Sequence, residues 1–360
     1  MTKLKVAMIS FDHIHADMRL KALLEQPEDV EIVAISEKDE ARGRASQKKY
    51  GGEFYQDYRK LLERKDLDFV FIHSVTSEHR QMVLDTAAAG IDLFCEKPLA
   101  ASYSEAREML AAVEKAGIRH TTGFNSRLIP EAERAKAIFD TGVLGKIVSI
   151  RSFLSSIGPK ELGCPPYMCD WILDAKKAAG GALIDEGVHA IDLMRWFLGD
   201  VESVFAMTAK TVKTQLNVED NAITMLRFQN GVLGELNTSW SINIDVGMKN
   251  TMEIYGSEGT MIVELTSKAP KVAVYTEKPT ADPKLGGWIE PQIKPDSSDP
   301  HDYTSWPAHA IHFKREISDV IRRLKKDIPF DITFEDGVKV AEVTSAAYAS
   351  AANGELVKLA

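Results

Sequence analysis

Short apolar runs and longer amphipathic stretches alternate along the chain up to about residue 120. The apolar runs are typical of strands that are covered on both faces, as in a parallel sheet. The stretches between them have the period of helices, and we expect a left-handed cap at Gly90, where one of them ends. The predicted strands are Lys5–Ile9, Glu31–Ser36, Phe69–His73, Asp92–Cys95 and His120–Gly123. The predicted helices are Met18–Gln26, Glu40–Tyr50, Ser77–Ala89 and Ser104–Ala116.

The pattern changes beyond residue 124, where most later strands have period two and are joined by turns such as Gln229–Gly231. The predicted antiparallel strands are Ser203–Val212, Asn221–Phe228, Val232–Ser241, Thr251–Tyr255, Thr260–Glu264 and Lys271–Tyr275. The other predicted elements are a helix at Glu131–Thr141, a strand at Ile147–Phe153, a surface loop at Lys278–Pro300, and helices at Ala308–Lys326 and Thr333–Asn353. We therefore predict two domains: a doubly wound α/β domain over residues 1–124, and an α+β domain with a large open, mainly antiparallel sheet over residues 125–360.

Length and composition agree with this division and narrow the function. A chain of 360 residues is too long for one ordinary core. The chain has a net charge of −9, and its basic residues form no stripe along the sequence. Nucleic acid and anionic membranes are therefore not expected as partners. Lys5–Ser10 is predicted as a strand rather than the apolar region of a signal peptide, and no run is long enough to span a membrane. The three cysteines match no disulfide or zinc framework, and we expect a cytoplasmic protein.

The predicted strand Asp92–Cys95 ends in Glu96, Lys97 and Pro98. Proline cannot donate a ladder hydrogen bond and restricts the residue before it, so strand pairing should stop there. Ligands of open α/β sheets bind just beyond the carboxyl ends of the strands. An acid and an amine are thus expected at the ligand-binding edge, although two solvated charges at a strand end would look the same.

The turn after the first strand lacks the usual dinucleotide fingerprint. Ser10–His15 contains none of the glycines of G-x-G-x-x-G, and Asp12 adds negative charge where a pyrophosphate would lie. A dinucleotide would have to use helix N-terminal amides and the donors of Ser10, His13 and His15. Glu37 follows the second strand, where an acid takes both ribose hydroxyls of NAD, while the adjacent Lys38 leaves NADP open.

A cluster of possible metal ligands occupies the same turn. Imidazoles and carboxylates of Asp12, His13, His15 and Asp17 are of a type that binds zinc, manganese or iron. Their short, uneven spacing matches no metal site, and we predict structural histidines and no metal.

The segment Gly180–Gly199 reads as one apolar helix bounded by glycines. Asp185, His189 and Asp192 stand at i, i+4 and i+7, so they are expected to share one face. Burial of three ionisable groups is costly unless they are paired or used. A carboxylate one turn from an imidazole suits a general base, and a structural His–Asp hydrogen bond is the alternative.

Together these segments resemble the glucose–fructose oxidoreductase/inositol dehydrogenase (Gfo/Idh/MocA) family over nearly the whole chain. The matching motifs are Glu96–Pro98, Gly123–Asn125 with Arg127, Gly180–Gly199, Glu253–Gly259 and Ala347–Leu359. The resemblance implies an N-terminal Rossmann domain and a C-terminal domain that binds substrate and forms a homodimer or homotetramer through its sheet. It also implies NAD or NADP as the cofactor, with NAD favoured by Glu37, and a carbohydrate or polyol substrate.

The resemblance further implies roles for single residues, with Lys97, Asp185 and His189 as the catalytic residues. The implied cofactor-binding residues are Ser10, Phe11, His13, Ile14, Glu37, Ser74, Thr76, His79, Glu96, Lys97 and Asn125. The candidate substrate-binding residues are Lys97, Tyr167, Trp171, Asp185 and His189, with the loops Ser155–Trp171 and Lys278–Tyr303 as pocket walls. The chain departs from the family pattern in its missing glycines, in the turn Ser74–His79, and in Glu186, which adds a carboxylate near the expected pocket.

The leading hypothesis is an NAD(P)-dependent dehydrogenase that transfers a hydride to or from a secondary alcohol of a sugar, cyclitol or related polyol. His189 would accept the hydroxyl proton, Asp185 would orient it, and Lys97 would stabilise the reacting oxygen. The alternative is an enzyme of the same fold with a recycled cofactor or a metal, performing lyase, epimerase or hydrolytic chemistry. A third hypothesis is a non-catalytic regulator, which would not need all three of these residues.

Overall fold

The computed structural model describes residues 2–245, 247–266, 271–276, 287–289 and 310–359. The chain forms two compact units. The first consists of Met1–Phe124, Cys164–Ala179 and Phe313–Ala341, and the second of Asn125–Gly163, Gly180–His312 and Glu342–Ala360. The first boundary coincides with the predicted change after residue 124. Two later segments, which the sequence assigned to the second domain, belong instead to the first unit.

The first unit is built on a six-stranded parallel sheet with strand order β3-β2-β1-β4-β5-β6. Its strands are β1 (Leu4–Ile9), β2 (Val30–Ser36), β3 (Glu53–Tyr55), β4 (Phe69–Ile72), β5 (Asp92–Cys95) and β6 (His120–Thr122). The direction of the strand order reverses between β1 and β4, which pair with each other in the middle of the sheet. In such sheets ligands bind at this reversal, beyond the carboxyl ends of the strands. The strand β3 was not predicted, because Glu53–Tyr55 is too short and polar to stand out.

Helices connect these strands in the first unit. They are α1 (His15–Leu24), α2 (Glu40–Tyr50), α3 (Tyr58–Leu62), α4 (Thr76–Ala88) and α5 (Tyr103–Ala116). Helix α1 begins at His15 rather than at Met18, so His15 and Asp17 belong to its first turn. Gly90 has a φ of 71°, which confirms the left-handed cap expected after α4. The Asp39 side chain caps α2 by accepting a hydrogen bond from the Arg42 amide.

The two returning segments complete the first unit. They carry α7 (Pro166–Ile172), α8 (Ala175–Ala178), α10 (Ile311–Lys326) and the beginning of α11 (Phe334–Asn353). Phe334 and Val338 are buried in the same apolar cluster as Ile72 and Leu93 of the sheet. Hydrophobic burial of these helical residues therefore ties them to the first unit. Most of α7 lies within Ser155–Trp171, which is predicted from the sequence as a loop.

The second unit contains a nine-stranded sheet with the order β14-β13-β12-β11-β7-β10-β9-β8-β15. The strands are β7 (Ile147–Ser156), β8 (Val201–Ala209), β9 (Asn221–Phe228), β10 (Leu233–Ser239), β11 (Met248–Gly256), β12 (Gly259–Thr266), β13 (Lys271–Thr276), β14 (Gly287–Ile289) and β15 (Val357–Lys358). All neighbours are antiparallel except β7 and β10, which run parallel. The predicted mainly antiparallel sheet is thus confirmed. The predicted loop Lys278–Pro300 lies outside the described residues except for β14.

Helical elements of the second unit pack on this sheet. They are a 3-10 turn at Asn125–Leu128, α6 (Pro130–Phe139), a π-helical turn at Leu183–Gly187 and α9 (Val188–Leu198). The segment predicted as one helix over Gly180–Gly199 is thus divided, and the π turn carries Asp185. Across the described part of the chain, no helix is both long and apolar enough to cross a bilayer.

Candidate active site

The turn after β1 is made by a serine where the dinucleotide fingerprint has a glycine. Ser10 has a φ of 69°, in the left-handed region that glycine adopts most easily. Its Oγ atom donates to Oδ2 of Asp12 at 2.9 Å and accepts from the Asp12 amide at 3.1 Å. These local hydrogen bonds offset part of the backbone strain, so the turn forms without glycine.

Most amides of this turn are satisfied within the protein. The Phe11 amide donates to Oε2 of Glu37 at 2.8 Å, and the His13 amide donates to the His73 carbonyl at 3.1 Å. The Ile14 amide, at the start of α1, donates to no residue that the structure describes. A helix N-terminus with such an amide can hold an anion. A pyrophosphate would therefore meet fewer backbone donors here than in a glycine-rich loop.

The two carboxylates near this turn are both paired. Asp12 is 4% exposed and Glu37 is 1% exposed. Nη2 of Arg42 lies 2.7 Å from a carboxylate oxygen of Asp12 and 2.7 Å from one of Glu37. Nζ of Lys38 lies 3.1 Å from Oδ2 of Asp12. Glu37 also accepts from the Asp39 amide at 2.9 Å. The negative charge expected to oppose a pyrophosphate is thus largely balanced, and the predicted ribose ligand Glu37 is already committed to three donors.

The residues predicted to border the cofactor groove after β4 are buried. Ser74, Thr76 and His79 are each at most 2% exposed. The His79 ring contacts the carbonyls of Ser74 at 3.1 Å and of Pro98 at 3.0 Å. Burial lowers the pKa of His79, so the ring is neutral and donates to one carbonyl at a time. His79 fastens the loop after β4 to the loop after β5, and its role as a cofactor contact stays a prediction.

Glu96, at the end of β5, is the centre of a buried ionic network in the first unit. Arg19 donates to Oε2 of Glu96 and, through Nε at 2.8 Å and Nη2 at 3.2 Å, to Glu316. Nδ1 of His15 lies 3.3 Å from Oε1 of Glu96. Burial alone would raise the pKa of Glu96, but Arg19, His15 and His13 stabilise the carboxylate and hold its pKa well below the usual range.

Lys97 follows directly and is 5% exposed. Its amide donates to Oε1 of Glu96 at 2.9 Å, and the Lys97–Pro98 peptide is cis. Strand β5 ends at Cys95, so pairing stops where the sequence predicted. The backbone that carries the Lys97 amine is therefore held by the same carboxylate that Arg19 fixes.

Helix α7 places Tyr167 and Trp171 beside the turn after β1. The Trp171 indole donates to the Asp12 carbonyl at 3.0 Å, and its ring lies 6.0 Å from the His13 ring. The Arg42 guanidinium lies 4.6 Å from the centre of the Tyr167 ring. Both aromatic residues thus border the cofactor side of the first unit, while their predicted part in substrate binding stays a prediction.

The predicted catalytic residues of the second unit are Asp185 and His189. Asp185 lies in the π turn, and His189 lies in the first turn of α9. Such π turns are frequent at functional sites. Ser126 Oγ lies 3.4 Å from Nδ1 of His189. The π turn closes against Glu219, whose carboxylate accepts from the amides of Gly181 and Leu183.

Two further predicted groups have other partners. Asp192 is 0% exposed and forms a bidentate ion pair with Arg127 rather than joining His189. Glu186, expected near the substrate pocket, is buried and accepts a hydrogen bond from Ser156 at 2.5 Å. Asp192 therefore serves packing, and the π turn removes Asp185 from the α-helical spacing that predicted a face shared with His189.

The predicted cofactor residues fit a nicotinamide dinucleotide in part. The Nδ2 amide of Asn125 is buried and has no hydrogen-bond partner among the described residues. A buried donor of this kind is normally satisfied, so it can meet a ligand acceptor such as a carboxamide oxygen. With the Ile14 amide, it gives the chain two open donors at predicted cofactor positions. Ser10 retains the turn geometry that the glycine normally provides.

Sequence reasoning missed Arg19, Arg42 and Glu316. Arg19 is 0% exposed, although it lies on a helix whose other buried residues are mostly apolar. The sequence does show that Arg19 lies among the apolar positions Ala16, Leu20 and Leu23 of this helix. A guanidinium buried at such a position requires acidic partners. Glu316 lies 297 residues from Arg19, and no local pattern links the two.

The chain is similar to known oxidoreductases in both sequence and structure. The family described as oxidoreductases with an NAD-binding Rossmann fold matches residues 4–124, and the GFO/IDH/MocA C-terminal domain matches residues 132–262. The chain is 32% identical to the uncharacterized oxidoreductase YrbE of Bacillus subtilis over 61% of its own length and 62% of that protein, which is less than two thirds.

A second relative extends the similarity. The chain is 30% identical to myo-inositol 2-dehydrogenase of Thermotoga maritima, over 70% of this chain and 71% of that protein. The crystal structure of GenD2 from gentamicin A biosynthesis, in complex with NAD, matches with a TM-score of 0.81 and 26% identity, over 100% of this chain and 97% of that one. The chain belongs to the Gfo/Idh/MocA family of oxidoreductases with an NAD-binding Rossmann fold.

Proposed function

We propose that this protein is an NAD(P)-dependent oxidoreductase that transfers a hydride to or from a secondary alcohol of a sugar, cyclitol or related polyol. Its family and its relative myo-inositol 2-dehydrogenase support this function. The observation that carries it is the retention of Lys97 at the end of β5, anchored through Glu96, together with Asp185 and His189 at a π turn. A non-catalytic scaffold would not need these three groups together.

In the proposed reaction His189 is the general base. Its Nδ1 atom faces Ser126, so we assign proton transfer from the substrate hydroxyl to the other ring nitrogen, Nε2. Asp185, which precedes it by four residues, orients the ring. The Lys97 amine hydrogen-bonds the reacting oxygen and stabilises the negative charge that develops on it. A bound nicotinamide supplies the hydride acceptor for oxidation and the donor for reduction.

We propose NAD as the preferred cofactor. Asp12 and Glu37 both lie within 2.7 Å of Arg42, which is thereby neutralised rather than left to bind a 2′-phosphate. Lys38 is likewise paired with Asp12 and Glu78. Paired cations attract a further phosphate less strongly than unpaired ones.

The experiment that tests this function is calorimetric titration with NAD⁺ and NADP⁺, followed by a screen of cyclitols, aldoses and anhydrosugars for reduced nicotinamide. We expect saturable binding of NAD⁺, weaker binding of NADP⁺, and turnover with at least one secondary alcohol. Failure to bind either dinucleotide would refute the proposal.

We also propose a homodimer or homotetramer that uses the outer face of the second unit's sheet. Four apolar side chains on the adjacent strands β8, β9 and β10 share this face by the sheet register and are at least 43% exposed: Met207, Ile223, Met225 and Leu233. Exposed apolar patches of this kind mark association sites. Light scattering should give at least twice the chain mass, and Met207→Lys with Met225→Lys should reduce it. A monomeric wild-type protein would contradict the assignment.

A cytoplasmic location is part of the proposal. All three cysteines are free thiols, which suits a reducing compartment.

A further inference from the structure

Three potential metal ligands meet at the ligand-binding edge of the first unit. One ligand atom from each of His13, His15 and Glu96 lies within 4.8 Å of the others. The closest pair, Nδ1 of His15 and Oε1 of Glu96, is 3.3 Å apart. In the sequence, only Asp12 and Asp17 lie close enough to the histidines to suggest further ligands. The third ligand comes from the end of another strand.

The carboxylates close to the histidines in sequence belong elsewhere. Asp12 is paired with Arg42 and Lys38. Asp17 accepts a hydrogen bond from the Tyr50 hydroxyl and lies 3.4 Å from Lys49. Of the four residues whose short, uneven spacing argued against a metal site, only the two histidines take part in this cluster.

The protonation states of the three groups suit metal binding. Nδ1 of His13 accepts a hydrogen bond from the His15 amide at 3.2 Å, as a neutral imidazole does, and Nδ1 of His15 is buried with no hydrogen-bond partner among the described residues. Glu96 is buried but remains an ionised carboxylate, because Arg19 pairs with it. Neutral imidazoles and ionised carboxylates are the forms that ligate metals.

The surroundings of Glu96 hold it as a ligand. Arg19 occupies Oε2, while Oε1 accepts from the Lys97 amide at 2.9 Å and faces Nδ1 of His15 at 3.3 Å. Arg19 is itself fixed by Glu316, and this outer contact sets the orientation of the carboxylate. The charges of Arg19 and Glu316 cancel, which leaves the charge of Glu96 facing the imidazoles. Lys97 contributes an opposing positive charge, which weakens the affinity for a cation.

Only a small adjustment is needed to close the site. Ligands about 2.1 Å from a tetrahedral ion lie about 3.4 Å from one another, as His15 and Glu96 nearly do. All ligand atoms of the cluster lie within 4.8 Å of one another, so the other pairs need to approach by at most about 1.4 Å. The His15 side chain is 22% exposed, but its Nδ1 atom is buried, so an ion enters only with a movement of the ring.

We propose that His13, His15 and Glu96 bind one divalent transition-metal ion of the zinc type. Two imidazoles and a carboxylate match the ligand preference of zinc, cobalt and iron rather than that of magnesium or calcium. Three protein ligands leave a coordination position for an oxygen ligand, as in catalytic zinc sites. His13 and Glu96 are also predicted cofactor-binding residues, so an ion here would share this edge of the sheet with the dinucleotide of the proposed dehydrogenase.

The test uses the full-length protein, stripped with a chelator, loaded with Co²⁺ or Zn²⁺ without dinucleotide, and dialysed. Elemental analysis should find about one ion per chain, and bound Co²⁺ should give the visible absorption of a four- or five-coordinate ion. His13→Gln and His15→Gln should each lose the ion and the absorption. His120→Gln, which changes a histidine of the same unit outside the cluster, should retain both. Equal retention by the His13 and His15 variants, or no retention by the wild type, would overturn the proposal.

A second measurement does not depend on the variants folding. X-ray absorption of the zinc-loaded wild type should show nitrogen and oxygen ligands with the scattering of two imidazoles. Sulfur ligands would place the ion at Cys164 and Cys169 instead and overturn the proposal. A parallel titration with NAD⁺ separates the two proposals, because an ion retained by a protein that binds no dinucleotide would refute only the dehydrogenase function.

Discussion

Arg127 and Asp192 form a bidentate ion pair inside the second unit, with Nε 2.8 Å from Oδ2 and Nη2 2.5 Å from Oδ1. Asp192 is fully buried, and the pair joins the 3-10 turn at Asn125–Leu128 to α9. The turn also carries Ser126, which contacts His189. The ion pair therefore fixes the backbone on both sides of the proposed general base.

Loss of either partner should destabilise the protein strongly. Arg127→Met leaves Asp192 charged and buried, and we expect the free energy of unfolding to fall by about 3 to 5 kcal/mol. Urea denaturation monitored by circular dichroism measures this change. The double variant Arg127→Met with Asp192→Leu should recover much of the loss, because no unpaired charge remains. A double variant as unstable as the single one would show that the contact contributes through packing alone.

The catalytic assignment predicts a loss of turnover without a loss of folding. Lys97→Met keeps most of the side-chain stem but removes the amine, and we expect kcat to fall by roughly 100- to 10,000-fold. His189→Asn should have an effect of the same order. Lys136→Met, which removes a lysine amine of α6 that is paired with Asp140, is the matched control and should leave kcat unchanged. Normal turnover by both Lys97→Met and His189→Asn would remove them from the mechanism.

Features governed by local pattern were predictable from the sequence. The bounds of α2, β5 and β9 agree with the prediction, because each is a short run with clear periodicity and marked ends. Glu96 and Lys97 were located for the same reason, since the proline after them ends the strand. The family motifs further predicted that the Rossmann domain is N-terminal and the substrate-binding domain C-terminal.

Features that depend on distant contacts were not predictable. The π turn moves Asp185 relative to α9, and spacing rules for an α-helix cannot anticipate the extra residue in one turn. The partner of Asp192 lies 65 residues away. Likewise His15 and Glu96 approach each other only because β1 and β5 end at the same edge of one sheet. A list of candidate residues is available from sequence, but their pairing requires the fold.

The left-handed conformation of Ser10 predicts a difference between two small substitutions. Ser10→Ala and Ser10→Gly both remove the hydroxyl that binds Asp12. In alanine the Cβ atom also makes a φ of 69° sterically unfavourable, which destabilises the folded state, whereas glycine adopts this φ without strain. After allowance for the lower unfolded-state entropy of alanine, the glycine variant should be more stable by roughly 0.5 to 1 kcal/mol.

Thermal or urea unfolding of the two Ser10 variants gives this difference directly. Since both lack the hydroxyl, their comparison isolates the backbone term. An alanine variant that is as stable as the glycine variant would mean that the turn relaxes to another conformation.

The buried imidazole of His79 predicts that the protein loses stability as the pH falls. Burial lowers its pKa in the folded state, so below about pH 6.5 the unfolded chain binds a proton that the folded one does not. The contribution is present above that pH and is lost on acidification, at up to about 1.4 kcal/mol per pH unit. Urea denaturation between pH 7.5 and pH 5.5 should show this slope. His79→Gln can still donate to a carbonyl but cannot titrate, so it should have a shallower slope, and an unchanged slope would assign the acid sensitivity to other groups.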